Sequence, residues 1–453
     1  MNPLPPNKKL GSIMNNDHTS ILYSSSGDQI TPDEYSHVVD SILSAGPGVL
    51  ALRVGNPDSV FYDSHVTTAM DKYHLEVCLK TFTTDPGTGE KWLDEQYLRD
   101  HHGGLDRALK RLFEFGADPL ALAVEAGKHR DIPVVASYRM NAEDQYDYTW
   151  MLTDFGRAHP ECRIAMTPHE IGGLPEGCRQ KQWTGALDPA KPQVYEHRMG
   201  IFREVAEKYD IAGIEFDFMR WNHMICDPLR NHPILTKMVA ETRAVLDEAA
   251  RRKGRDRMLL GVRVPPSLHE KPEDADYPGM EHAGQNESCQ DKGLDVAAWV
   301  ANEYVDYVCP SLFWPQWPGK PNTVEFVELA KDTNVGVYPT LFPKPEWLTQ
   351  PIETEEQVLR YKDEFCQTAL RFYADEPDGL STFNWASFGQ PGMVVQPQLV
   401  GGKWGMGAKR VQHAMTARLA SAQRIRQYLA ERDVGATVGW RQSEDRGREG
   451  VAG

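Results

Sequence analysis

Eight short apolar runs, separated by stretches of helical periodicity, constrain this chain more than any other feature of it. The runs are Ile21–Ser25, Val49–Val54, Val134–Tyr138, Gly213–Phe218, Leu259–Val264, Asp306–Pro310, Val335–Thr340 and Gly379–Asn384. Most are apolar on both faces, as parallel strands must be when helices cover one side and a packed interior the other. Helices are predicted between them. Thr31-Pro32-Asp33-Glu34 reads as a helix start, with Thr31 at the N-cap, Pro32 at N1 and Glu34 at N3. Further helices are predicted over Leu105–Phe115, Asp118–His129, Pro192–Tyr209, Leu229–Lys253 and Glu353–Ala374.

Such an alternation closes into a barrel or spreads as an open doubly wound sheet. No glycine-rich phosphate loop follows the first run, and polar residues cluster after nearly every run, where βα-loops would lie. The expected architecture is therefore α/β, a (β/α)8 barrel over 21–432 with long βα-loops and a closing C-terminal helix over about Ala408–Arg432. Long loops are expected at 55–104 and 265–292. Disordered tails are expected at 1–20 and 433–453, the latter rich in Gly and charge.

Composition excludes several classes of function. Hydrophobic residues at 40% and charged residues at 25% describe a soluble globular chain of 453 residues. A net charge of -16 argues against a nucleic-acid partner, which demands a basic footprint. No apolar leader core or bilayer-length run appears, so no membrane partner and a cytoplasmic location are expected. The seven cysteines are odd in number and lack CxxC spacing, which reads as reduced, structural thiols. No phosphate loop, GxSxG elbow or dinucleotide fingerprint is present, and His169-Glu170 lacks a second histidine at zinc-site spacing. Neither a cofactor nor a metal is expected, and no oligomeric state is assigned.

The chemistry concentrates on the fourth run. Alternate side chains of a strand share a face, so Ile214, Phe216 and Phe218 should point to the helices and Glu215 and Asp217 into the barrel. Two carboxylates about 6.6 Å apart on a buried strand are costly unless paired or hydrogen-bonded. Arg53, Arg139 and Arg263 fall at the ends of the second, third and fifth runs, and Arg220 follows the fourth. These arginines either orient Glu215 and Asp217 or bind an anionic substrate group. Trp221, Trp314, Trp317 and Trp385 sit where sugar-stacking platforms belong, and Asn141, Tyr338 and Asn384 could hydrogen-bond hydroxyls. Asp306 and Asp378 open their strands and read as structural.

Gly213-Ile214-Glu215-Phe216-Asp217-Phe218-Met219-Arg220 resembles the fourth strand of bacterial glycosyl-hydrolase-like barrels, which end in runs of the type DGIxLDxxR. Ser137-Tyr138-Arg139-Met140-Asn141, Ala186-Leu187-Asp188, Leu260-Gly261-Val262-Arg263-Val264-Pro265, Gly293-Leu294-Asp295-Val296, Val305-Asp306-Tyr307-Val308 and Phe383-Asn384-Trp385 are similar to words such proteins carry elsewhere, over about residues 20 to 390. The resemblance implies a glycosidase acting on a carbohydrate substrate. Chitinase-like barrels end this strand with a glutamate acid, and Met219 stands at that position, so their mechanism does not carry over.

Glycoside hydrolysis usually needs two carboxyl groups flanking the bond. Asp217, nearer the rim, is the expected catalytic carboxylate, and Glu215 orients a substrate hydroxyl or an arginine. The second carboxylate is left open among Asp188, Asp144, Glu170, Glu270, Glu273, Asp274 and Asp276, with Asp188 carried as the catalytic candidate. Long loops beside the mouth suggest exo action, and surplus arginines suggest uronic or sulfated sugars. Asp217→Asn should remove activity with little change in melting temperature. Two alternatives remain: a metal-dependent isomerase, epimerase or lyase using Glu215, Asp217 and His223, or a carbohydrate-binding barrel without catalysis.

Overall fold

A computed structural model describes residues 3–24, 29–56, 58–82, 94–140, 146–164, 186–219, 224–269, 288–312, 319–342, 352, 354–383 and 405–431. The barrel strands are β1 (Ile13–Asn16), β2 (Val49–Gly55), β3 (Val134–Arg139), β4 (Gly213–Asp217), β5 (Leu259–Val264), β6 (Tyr307–Pro310), β7 (Gly336–Val337), β8 (Thr340–Leu341) and β9 (Ser381–Thr382). They pair in parallel from β1 through β7, and β8 pairs with β9, which pairs with β1. β7 and β8 are two halves of one strand. Tyr338 N–H donates to Val308 at 2.8 Å, and the Pro339 carbonyl accepts from Ser381 at 3.0 Å, so the ring closes as a (β/α)8 barrel.

The first strand differs from the expectation. Residues 21–24 do not form it, because His18–Ser24 is helical. The strand lies at Ile13–Asn16, inside the segment expected to be a disordered tail, and all four of its residues are buried. Only Ile13 and Met14 are apolar there, so hydrophobic periodicity carried no signal. Parallel neighbours on both sides supply the hydrogen bonds that order it. Residues 7–10 close the barrel's N-terminal end, where Tyr338 Oη donates to the Asn7 carbonyl at 2.6 Å and accepts from Leu10 N–H at 3.0 Å.

Helices follow the sequence more closely. Thr31 caps Pro32–Leu43, its hydroxyl accepting from Glu34 N–H at 3.2 Å. Pro192–Lys208, Pro228–Arg252 and Glu355–Phe372 occupy the predicted stretches, the last opened by a Thr354–Gln357 capping box. The expected C-terminal helix is two, Gly405–Thr416 and Ala422–Ala430, separated by a turn of 3-10 helix. The tail at 433–453 lies outside the described residues. No described helix is long and apolar enough to cross a membrane.

Strand alternation sorts the core into two. Ile214, Phe216 and Phe218 face the helical layer, where Phe216 meets Phe202 with ring centroids 4.8 Å apart and Phe218 meets Trp299 at 5.7 Å. Leu10, Ile13, Val49, Ala51, Val135, Ala212 and Leu259 pack inside the barrel toward its N-terminal end. At that end Asp306 accepts from Arg243, Arg257, Asn7 and the Leu260 N–H, the structural role expected of it. Asp378 similarly accepts from the Val337 N–H at 2.9 Å.

Candidate functional site

Above the apolar plug the barrel interior turns polar in two layers. The register aligns Ser137, Glu215 and Gly261 across β3, β4 and β5, and one layer higher Arg139, Asp217 and Arg263. Both layers follow from the period of two, because each named residue is separated from its counterpart by one outward-facing position.

Glu215 occupies the lower layer and is 1% exposed. Its Oε1 accepts from Asn15 Nδ2 at 3.0 Å and Ser137 Oγ at 2.8 Å, and its Oε2 accepts from Tyr307 Oη at 3.0 Å. Burial, and after it the Asp217 charge, push this carboxyl above the usual range, although the Ser137 and Tyr307 donors oppose the shift. Gly261 makes the Tyr307 contact possible. A β-carbon at 261 would fall within the Tyr307 ring, so the ring crosses above bare backbone to reach Glu215. Gly261→Ala should destabilise the chain by about 1–3 kcal/mol through overpacking. Urea unfolding of this variant checks the claim; an unchanged midpoint would refute it.

The upper layer carries the charge. Both oxygens of Asp217 accept from Arg263 Nη1, at 3.0 and 2.9 Å, and Oδ1 also accepts from the Met219 N–H at 2.9 Å. Arg263 Nε donates to Ser311 Oγ at 3.0 Å, which donates to Thr340 Oγ1 at 2.5 Å. The Phe383 ring covers this corner, with Arg263 Cζ 3.9 Å and Arg139 Cζ 5.6 Å from its centroid.

A third carboxylate completes the layer. Asp17, directly after β1, accepts from Arg53 Nη1 at 2.8 Å and Arg139 Nη2 at 2.9 Å. Thr19 donates to it through its hydroxyl at 2.8 Å and its N–H at 3.1 Å. Burial alone would raise the Asp17 carboxyl, but Arg139, Arg53 and Thr19 outweigh burial and hold it far below the usual range. The next residue, His18, is held neutral by burial, its imidazole lowered to about 3, and its Nε2 lies 2.7 Å from Tyr35 Oη.

The sequence candidates divide accordingly. Glu215, Asp217, Arg53, Arg139 and Arg263 converge within this barrel end. Asp188 does not join them. Its Oδ1 accepts from the Ala190 and Cys226 N–H groups, at 3.0 and 3.2 Å, so it caps a turn ahead of Pro192–Lys208. No described hydrogen bond or ion pair links Asp188 to Glu215 or Asp217. Tyr338 is likewise not positioned for a substrate, because its hydroxyl is committed to Asn7 and Leu10 at the opposite end. Asn141, Asp144, Glu170, Arg220, Trp221, His223, Glu270, Glu273, Asp274, Asp276, Trp314, Trp317, Asn384 and Trp385 lie outside the described residues.

Sequence reasoning missed Asn15, Asp17, Ser137, Tyr307, Ser311, Thr340 and Phe383. Ser137 and Tyr307 carried a usable signal, since each falls on the inward-facing parity of a run already identified, and Ser311 continues that parity one residue beyond its run. Asn15 and Asp17 carried none, because their strand was not recognised.

No protein-family model and no curated protein matches the chain. Among solved structures it is similar to the glycoside hydrolase domain of PgaB (BpsB) from Bordetella bronchiseptica, at 9% identity and a TM-score of 0.42, covering 82% of this chain and 93% of that one. It is also similar to alpha-L-fucosidase isoenzyme 2 from Paenibacillus thiaminolyticus, at 11% identity and a TM-score of 0.41, covering 93% of this chain and 49% of that one. A class V chitinase from Pseudomonas fluorescens is 12% identical with a TM-score of 0.37, covering 90% of this chain and 99% of that one.

Proposed function

We propose that the chain is a glycoside hydrolase, with Asp217 as its catalytic carboxylate and a substrate that carries a carboxylate or sulfate. The observation that supports it best is the charge of the upper layer. Arg53, Arg139 and Arg263 bring three guanidinium groups to one layer, beside Asp17 and Asp217 and above Glu215. Guanidinium groups gathered and buried in one layer are the chemistry that recognises a carboxylate or sulfate on a sugar. The resemblance of the β4 strand end to glycosyl-hydrolase-like barrels supplies the reaction class. Exo action fits the insertion after β2, whose Phe61 ring lies 5.1 Å from Arg53 Cζ beside this layer.

The test compares an aryl glucuronide with its matching glucoside, and a sulfated with a desulfated oligosaccharide. Arg263→Lys should raise KM more for the acidic compound, because a lysine that keeps the Asp217 charge has no planar fork left to meet a carboxylate or sulfate. Equal or better turnover of the neutral compounds would end the acidic-substrate reading. A second reading, a carbohydrate-binding barrel, is favoured by one observation: each Asp217 oxygen already accepts from Arg263. Tight binding of acidic oligosaccharides with no turnover of any glycoside would select it. A metal-dependent isomerase is less well supported, since Asp217 faces a guanidinium that would repel a cation.

A further inference from the structure

The insertion between β2 and β3 contains a cluster unrelated to the barrel chemistry. His74 and Cys78 stand one turn apart on the helix His74–Phe82, and His102 and Asp106 one turn apart on the facing helix Glu95–Glu114. Residues four apart share a helix face, so each helix presents a pair to the other. One nitrogen of each histidine and the Cys78 sulfur all lie within 4.8 Å of one another. We propose that His74, Cys78 and His102 bind a zinc-type divalent cation that clips these two helices together.

Four features carry this. First, Cys78 Sγ lies 3.4 Å from His74 Nε2. Ligand atoms around a tetrahedral zinc, with bonds of about 2.0–2.3 Å, sit roughly 3.4–3.8 Å apart, so this edge is already at bonding separation. Second, Asp106 Oδ1 lies 2.8 Å from His74 Nδ1. A proton on Nδ1 directed at that carboxylate leaves the Nε2 lone pair for a metal, the arrangement that orients histidine ligands in metal sites. Asp106 is itself fixed, because its Oδ2 accepts from the Leu75 N–H at 2.9 Å. Third, the charges balance: a Cys78 thiolate and the Asp106 carboxylate together neutralise a dication, which reduces the cost of burying it. Fourth, access is graded. His74 and Cys78 are buried, with Leu98, Leu79 and Tyr97 packed around the sulfur, whereas His102 is partly exposed. Three protein ligands leave the fourth position to water on that open side.

Mixed N and S donors select zinc or cobalt over magnesium or calcium. The site revises the expectation that every cysteine is a plain structural thiol. The experiment titrates cobalt(II) chloride into the full chain after chelator dialysis. One equivalent should bind and produce visible ligand-field bands with a near-ultraviolet thiolate-to-cobalt band. The thiolate band should vanish in Cys78→Ser and persist in Cys162→Ser, which removes a buried thiol elsewhere. Asp106→Asn should weaken zinc binding by about 10–100-fold with unchanged circular dichroism. Zinc should raise the melting temperature of the wild type and not that of His102→Ala, a partly exposed position where substitution spares the fold. No stoichiometric cobalt binding would overturn the site and leave a thiol–imidazole hydrogen bond in its place. An identical titration in Cys78→Ser or His102→Ala would overturn it equally.

Discussion

Asp217→Asn should lower turnover of the responsive glycoside by roughly 10²–10⁴-fold, the scale of losing a positioned catalytic carboxylate. The same variant should also melt earlier, which reverses the expectation from sequence that stability would hardly change. Arg263 is 3% exposed, and its Nη1 directs two hydrogen bonds at Asp217. Neutralising the carboxylate strands a buried guanidinium, and breaking such a pair costs about 3–5 kcal/mol, less where asparagine keeps one hydrogen bond. Catalysis and stability can be separated by adding Arg263→Gln. The double variant should regain part of the lost melting temperature and none of the activity. Turnover near that of the wild type in Asp217→Asn, measured well below its melting temperature, would remove Asp217 from the mechanism.

Asp17→Ala should give the largest loss of stability among single changes in the site, at least the roughly 3–5 kcal/mol expected when a buried ion pair loses one partner. It removes the carboxylate that accepts from both Arg53 and Arg139, which are 3% and 2% exposed. The pH dependence has a definite sign. The folded Asp17 carboxyl is held below its unfolded value, so its contribution is complete above the usual carboxylate range and is lost as pH falls through the folded value. Urea unfolding should therefore show the wild type losing stability with acid more steeply than Asp17→Ala. Asp154→Ala, which breaks an exposed pair with Lys72, is the control and should change little. A wild-type urea midpoint in Asp17→Ala would mean that Arg53 and Arg139 do not depend on this carboxylate.

The sequence by itself determined the barrel, most of its strands, and the residues at the ends of β2 to β5. Those strands are short and largely apolar, and the period of two fixes which side chains enter the interior. It thereby found Glu215, Asp217, Arg53, Arg139 and Arg263 without knowledge of their partners. Partnership was decided by tertiary structure. Asp17 lies in a four-residue strand with two apolar positions, ordered only by the ladders on either side of it. Tyr307 reaches Glu215 because Gly261 leaves its path open on the intervening strand. Asp188 and Tyr338 carry the right chemistry but point elsewhere, one to a helix start and one to the N-terminal plug. A chain pattern specifies which face a side chain takes. Which charge meets it across the barrel depends on strand neighbours and register, and these are fixed only when the sheet closes.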